Sequence, residues 1–391
     1  MKPGTARHLQ IPCSQGEIMH SVRNCLLVLV CLVIQIPAQA ADNISNEFTK
    51  NYKAYNNAFA RGNYGRAAEL AQKTLDLAKK ELGPDHEKTA IMEINLAHVL
   101  IMIRKIEEAE PILKAAKAKI EKIHGTDHSS LITVHEDMAK VFASKNELDK
   151  SRRSLSKAIA IIAKNGGPDN AEIARLLIQQ GGIDAATEKM DAAQQSYEKA
   201  LAILEKKYGK DGLGTASTVS LLGDIHLLKK EFPKAEEYYN RTLKIYEVNL
   251  VEDDPVLLSA HAKMAKIFIA MRDERFATHA DRVIKFYPDE EGKSRPLFVM
   301  QPLYPVFKDG KKPQGWVLLE FDVTTAGRVE NPKVIESLPA KLFDKVTMDV
   351  AKTWRFKPKV EKGKRVKQTN TRARLVFTRE NIEVHMGEMK I

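Results

Sequence analysis

Along most of the chain, apolar residues recur every three or four positions, as in "AAELAQKTLDLAKKEL" from Ala67 and "AEEYYNRTLKIYEVNL" from Ala235. That spacing predicts amphipathic helices, each with one buried stripe. After Pro288 the helical period stops. From Trp316 the apolar residues alternate instead, with Val317, Leu319, Phe321 and Val323 on one face. "TTAGR" predicts a turn, Gly327 taking the positive φ that a hairpin needs, and "VENPKVIES" returns as a second strand. "KLFDKVTMDVAKTW" places Leu342, Val346, Val350 and Trp354 on one helix face, and "TRARLVFTRE" supplies a last strand. The pattern predicts a multidomain chain: an all-α array, then a small α+β module with a three-stranded antiparallel sheet and one helix. Such a sheet leaves at least one strand at an edge.

The helical part repeats itself. "GPDHEKTA", "GTDHSSLI", "GPDNAEIA" and "GKDGLGTA" begin at Gly83, Gly125, Gly167 and Gly209, each step 42 residues. An aspartate column runs Asp85, Asp127, Asp169, Asp211, Asp253, and small residues hold two more: Ala67, Ala109, Ser151, Ala193, Ala235, Ala277, and Ala97, Ala139, Gly181, Gly223, Ala265. Four columns on one period predict stacked helix pairs that bury a continuous core. Small residues sit where the helices cross, glycine ends the second helix, and aspartate caps or turns into the next.

Near the N-terminus, Arg23 precedes an apolar run from Leu26 to Ile34, then Pro37 and Ala38-Gln39-Ala40. This is the layout of a secretory signal peptide over 1–40 cleaved between Ala40 and Ala41, with translation starting at Met1 or Met19. The run is short of the roughly 20 residues that span a bilayer, so the periplasm is the expected address, and an inner-membrane anchor facing the periplasm is the alternative. Cys13, Cys25 and Cys31 all fall in this leader, which leaves the mature chain without a thiol nucleophile or disulfide.

The net charge of +11 is unevenly spread. From Arg295 onward 20 Lys and Arg face 11 Asp and Glu, whereas 41–294 balances 39 against 39. In an exported chain a basic module argues against nucleic acid and for acidic peptides or an anionic envelope surface.

The repeat columns, clearest in "SLLGDIHLLKKEFPKAEEYYNRTL" with Leu222, Gly223, Ala235, Tyr239 and Thr242, resemble the tetratricopeptide repeat in its 42-residue form. Six such pairs are expected over 46–287, with Asp184 where the pattern prefers an aromatic. The resemblance implies a solenoid whose groove binds a protein partner and presents His98, Met102, Glu136, Lys140, Arg175 and Asp224. After a connection at 288–297, residues 298–385 resemble the TonB C-terminal domain. The words that carry it are "QPLYP", "GWVLLEFDVTTAGRVENPKVIES", "FDKVTMDVAKTWRFKP" and "VFTRE". That family lies in the periplasm of Gram-negative bacteria and grips the N-terminal box of an outer-membrane receptor by strand addition. It implies an open edge at the strand Asn370–Phe377, where proline at Leu375 removes an edge N–H, and ligand contacts at Gln301, Tyr304, Pro305, Thr371, Arg372, Arg374 and Thr378, with Trp354, Phe356 and Pro358 as core. The expected role is an exported protein-binding protein linked to energy-coupled transport, with other periplasmic or inner-membrane proteins as further partners. A periplasmic scaffold or adaptor without energy transduction is the alternative, because the array occupies the place of the family's Pro-rich spacer.

Catalytic patterns fail one by one. "SLSK" at Ser154 lies in a repeat helix without its companion motifs, "HED" at His135 lacks the second histidine of a zinc site, and "GPDHEKT" lacks the phosphate-loop Gly-Lys pair. His86 and His128 read as turn residues. No enzyme activity, small-molecule substrate, cofactor or metal is expected.

Overall fold

The computed structural model describes residues 44–386 apart from 308, 309 and 311. The leader with its three cysteines and the Ala40–Ala41 junction lie outside them. Twelve helices come first: α1 (Asn46–Ala60), α2 (Tyr64–Leu82), α3 (Glu87–Met102), α4 (Ile106–His124), α5 (Ser130–Ser144), α6 (Leu148–Gly166), α7 (Ala171–Ala186), α8 (Met190–Tyr208), α9 (Leu213–Leu228), α10 (Phe232–Asn249), α11 (Pro255–Met271) and α12 (Phe276–Lys285). Two compact units divide between Lys210 and Asp211. Unit one holds α1–α8 as four pairs. Unit two holds α9–α12 as two pairs, followed by the β-rich module.

The repeat columns have direct physical roles. Gly83, Gly125, Gly167 and Gly209 close α2, α4, α6 and α8 at φ between 80° and 92°, which glycine adopts without cost. The aspartate column does not supply the N-caps. His86, Asn170 and Asp254, each one place after it, accept from the N–H two residues on. Asp127 and Asp169 instead take Lys164 and Lys206 from the end of the following repeat. Ala67, Ala109, Ser151, Ala193 and Ala235 are buried in the helix crossings, whereas Ala277 is half-buried.

The other small column answers to its partner helix. A Cβ on Gly181 would lie 2.4 Å from the Tyr197 ring, and one on Gly223 2.7 Å from Tyr239. In the same columns Ala97 and Ala139 are matched by Leu113 and Leu155, side chains that leave room for a methyl. Gly181→Ala is therefore expected to lower stability by about 1–3 kcal/mol through overpacking, read as a lower urea midpoint, whereas the paired change with Tyr197→Leu recovers part of that loss.

In the module, β1 (Arg295–Phe298) pairs antiparallel with β4 (Arg355–Lys357), and β5 (Lys359–Glu361) with β6 (Lys364–Val366). The main sheet runs β3 (Val329–Leu338), β2 (Gly315–Val323), β7 (Gln368–Phe377), β8 (Ile382–Met386), all antiparallel. α13 (Asp344–Ala351) covers one face. Val317, Leu319, Phe321, Val323, Ala373, Leu375 and Phe377 form the core with Trp354 and Phe356, as their alternation requires. Trp354 donates its ring N–H to the Met300 carbonyl at 2.8 Å, and Gly327 turns the β2–β3 hairpin at φ +73°.

The sheet has four strands rather than three, which corrects the expected edge. Across Ala373–Phe377, β7 is flanked by β2 on one side and by β8 on the other. Proline at Leu375 would therefore break the middle of the sheet rather than its rim.

Within unit two the module is fastened to the last repeat pair. Asp281 of α12 receives Arg355 Nε at 2.7 Å and Arg328 at 2.8 Å. Arg365 reaches Asp289 at 2.5 Å and donates to the carbonyls of Ile284 (3.0 Å) and Tyr287 (2.8 Å), satisfying the open end of α12. The 288–297 connection is pinned as well: Gly292 exchanges both backbone bonds with Val360, and Glu290 faces Lys357 at 3.3 Å. Lys357 and Arg365, two members of a basic segment, thus tie the module to the preceding chain.

Candidate functional site

The residues expected to line the groove lie on the first helices of the second to fifth pairs, and all but Met102 are engaged by charged or polar neighbours. In unit one, His98 Nδ1 on α3 meets Asp137 on α5 at 2.8 Å, and Lys140 meets the same carboxylate at 2.8 Å. Glu136 of α5 meets Arg175 of α7 at 2.7 Å. In unit two, Asp224 of α9 meets Lys263 of α11 at 2.7 Å and accepts from the Tyr239 hydroxyl. Met102 ends α3 half-buried.

Three of these pairs, His98–Asp137, Glu136–Arg175 and Asp224–Lys263, share a separation of 39 residues. That is one repeat less three residues, the stagger of about one helical turn between successive first helices. Each pair is therefore a polar staple between neighbouring repeats of its own unit. Burial raises Glu136, with Arg175 opposing it. Asp137 is fully buried, which pushes its pKa up, yet the electrostatic attraction and hydrogen bonds of His98 and Lys140 outweigh that cost and hold it at about 2. Asp184, at the aromatic position of its repeat, is likewise buried and receives Arg152 at 2.8 Å. Asp137, Arg152 and Lys263 were not singled out from sequence. The 39-residue charge complementarity is the signal that finds Asp137 and Lys263.

In the module the expected contacts separate into several roles. The Tyr304 ring packs against Phe307, Phe343 and Phe377, and its hydroxyl donates to the Pro313 carbonyl, so this residue belongs to the core. Pro305 is half-buried beside it. Gln301 is exposed, and its carbonyl accepts from Arg272 at 2.8 Å. Thr378 closes the β7–β8 turn, its N–H donating to the Asn381 carbonyl and its hydroxyl accepting from the Asn381 N–H, both at 3.0 Å. Arg374 lies 4.5 Å over the Trp316 ring. Arg372 joins a triad across three strands, Glu320 receiving it at 3.1 Å and Lys333 at 2.7 Å.

Thr371 and Arg372 do stand at an open rim. β8 covers β7 only from Ala373 to Phe377, so among the described residues Gln368–Arg372 has β2 on one side and no strand on the other. A cleft of about 630 Å³ opens there, lined by Lys293, Arg295, Pro296, Thr371, Arg372 and Met386 among others. Its lining is basic at Lys293, Arg295 and Arg372, and among the described residues no strand pairs with Gln368–Arg372 on that side. This short rim can take an extended peptide by main-chain pairing, with side-chain selection by the cleft. The outer side of β3 is a second rim without a strand partner among the described residues.

The family profile of the tetratricopeptide repeat matches residues 53–118, 89–164 and 172–247. The profile of the Gram-negative bacterial TonB protein C-terminal domain matches 300–378. The chain is 33% identical over 78 residues to Protein TonB of Pseudomonas aeruginosa, covering 20% of this chain and 23% of that protein. It is 37% identical over 62 residues to Protein TonB of Salmonella typhimurium, covering 16% and 26%. The chain thus spans about a quarter of the length of these relatives. A Signal Transduction ATPase with Numerous Domains (STAND) protein with a tetratricopeptide repeat sensor, from Pyrococcus horikoshii, matches in fold with a TM-score of 0.50 at 19% identity. That likeness covers 61% of this chain and 35% of that one. Among the described residues no helix is long and apolar enough to cross a membrane.

Proposed function

Because this chain is a tetratricopeptide-repeat protein that ends in a TonB-family C-terminal domain, we propose that it is a periplasmic protein-binding protein that captures the N-terminal box of a TonB-dependent outer-membrane receptor. The repeats offer a second partner their groove. The observation that carries the reading is the half of β7, Gln368–Arg372, that no strand among the described residues covers, beside a basic cleft. An added strand gains main-chain hydrogen bonds there, and Lys293, Arg295 and Arg372 suit an acidic peptide. Gln301, Tyr304 and Pro305 act by shaping the module. Thr371 and Arg372 meet the ligand, and Arg374 and Thr378 hold the strand and its turn. In the repeats, His98, Glu136, Lys140, Arg175 and Asp224 set the groove's shape and charge, and Met102 adds apolar surface.

The test is titration of the full chain with labelled receptor-box peptides. Saturable binding is expected. N–H groups alternate in direction along a strand, so one of Thr371→Pro and Arg372→Pro removes a donor from the open side and weakens capture at least about tenfold. If no receptor-box peptide binds, the reading fails.

The scaffold reading has an observation of its own. The Asp281 and Arg365 contacts fasten the module to the last repeat pair, unlike a module hung on a free spacer. Cell fractionation separates the two: a soluble mature form starting near Ala41 supports the scaffold, and a membrane-retained form supports the transducer.

A further inference from the structure

Within unit one, three side chains of metal-binding type converge: Glu87 at the start of α3, His124 at the end of α4, and His128 before α5. One ligand atom from each lies within 4.8 Å of the other two. His124 Nε2 and a Glu87 carboxylate oxygen are 3.1 Å apart, and the two imidazoles stack at 4.2 Å. We propose that Glu87, His124 and His128 form a site for a divalent transition metal, zinc above all, that clasps the turn between successive repeats.

The repeat provides its own internal control. His128 stands in the N-cap column with His86, Asn170, Gly212 and Asp254, so a cap there does not need an imidazole. His124 shares its column with Leu82, Gly166, Tyr208 and Leu250, and Glu87 shares its own with Ser129, Ala171, Leu213 and Pro255. Neither His124 nor Glu87 is demanded by the repeat, yet the fold brings both, from successive repeat turns, beside the same ring. The cap bond from the Ser130 N–H to His128 is long, 3.4 Å against 3.1 Å for the equivalent bond at His86, so turning that ring toward a metal sacrifices little.

The donor set selects the ion. Two imidazoles and one carboxylate suit zinc and its neighbours, whereas calcium and magnesium prefer oxygen alone. Around a tetrahedral zinc with bonds of about 2.0–2.1 Å the ligand atoms lie roughly 3.3 Å apart, so on binding the two stacked rings unstack and tilt until a nitrogen of each faces the ion. A fourth position is left for water or for Asp127, which lines the same cleft beside Lys164. Binding joins the start of α3, the end of α4 and the start of α5.

The experiment is calorimetric titration of the untagged full chain with zinc, accompanied by the visible spectrum of the cobalt form. His124→Leu and His128→Asn borrow residues that other repeats carry at the same positions, so both retain the fold, checked by their melting without metal. Wild type is expected to bind zinc at this site and to give the intense cobalt bands of a tetrahedral ion. Each variant is expected to lose at least about tenfold in affinity, the smallest effect seen for even outer-shell ligand partners, and to lose those bands. No zinc uptake by wild type, or equal uptake and an unchanged cobalt spectrum in both variants, overturns the proposal.

Discussion

Asp137→Ala is expected to destabilise the repeats of unit one by about 3–5 kcal/mol, the cost of breaking a buried charged pair by removing one partner. Asp137 is fully buried between two repeats, and its carboxylate receives both His98 and Lys140 at 2.8 Å. Alanine leaves those two groups facing a cavity. An equilibrium urea titration followed by helical circular dichroism checks this. Asp127→Ala, which removes only a half-exposed ion pair, should stay within about 0.5 kcal/mol. The same carboxylate predicts a pH dependence. Its folded pKa of about 2 lies below the ordinary 3.8, so its contribution is complete above pH 4 and is lost as pH falls through the folded value. Wild type should therefore lose roughly 2 kcal/mol more than Asp137→Asn between pH 4 and pH 2.

Asp281→Ala is expected to loosen the module from the last repeat pair by about 2–3 kcal/mol. The guanidinium of Arg355 is 9% exposed, and it also donates to the Thr353 and Trp354 carbonyls and lies over the Phe276 ring. Removing Asp281 strips its charge partner and releases Arg328 as well. The figure lies below the full cost of stranding a buried charge, because Asp281 keeps 28% of its side chain in water. Limited proteolysis within 288–294 reads the effect, since Asp289, Glu290, Glu291, Gly292 and Ser294 are all bonded to the module. Cleavage should speed up about 30-fold, and Asp281→Asn should fall between the two.

Much of this architecture is legible in the chain. The helices are amphipathic and fall on a 42-residue period, and the strands alternate, so both kinds of element announce their buried faces. Gly181 and Gly223 were readable as small residues, and their cause, the Tyr197 and Tyr239 rings, lies 16 residues further on in each case. β8 was missed because Ile382, Val384 and Met386 give only three alternating positions after a basic strand. That short strand changes which rim of the sheet is open. The polar staples were missed because His98, Glu136 and Asp224 look like solvated groove residues until the stagger between repeats is known, and that stagger is a property of packing. Arg365 and Arg355 were hidden in the same way, since a basic cluster carries no mark of which members meet the end of a helix.

The central claim is that a partner peptide adds as a strand along Gln368–Arg372 of β7. Amide hydrogen exchange across the full chain, with and without a receptor-box peptide, tests it most directly. Exchange at Gln368–Arg372 should slow on addition of the peptide, while the amides of β3 stay as they were. Binding that leaves Gln368–Arg372 unprotected, or that protects β3 instead, would contradict the account.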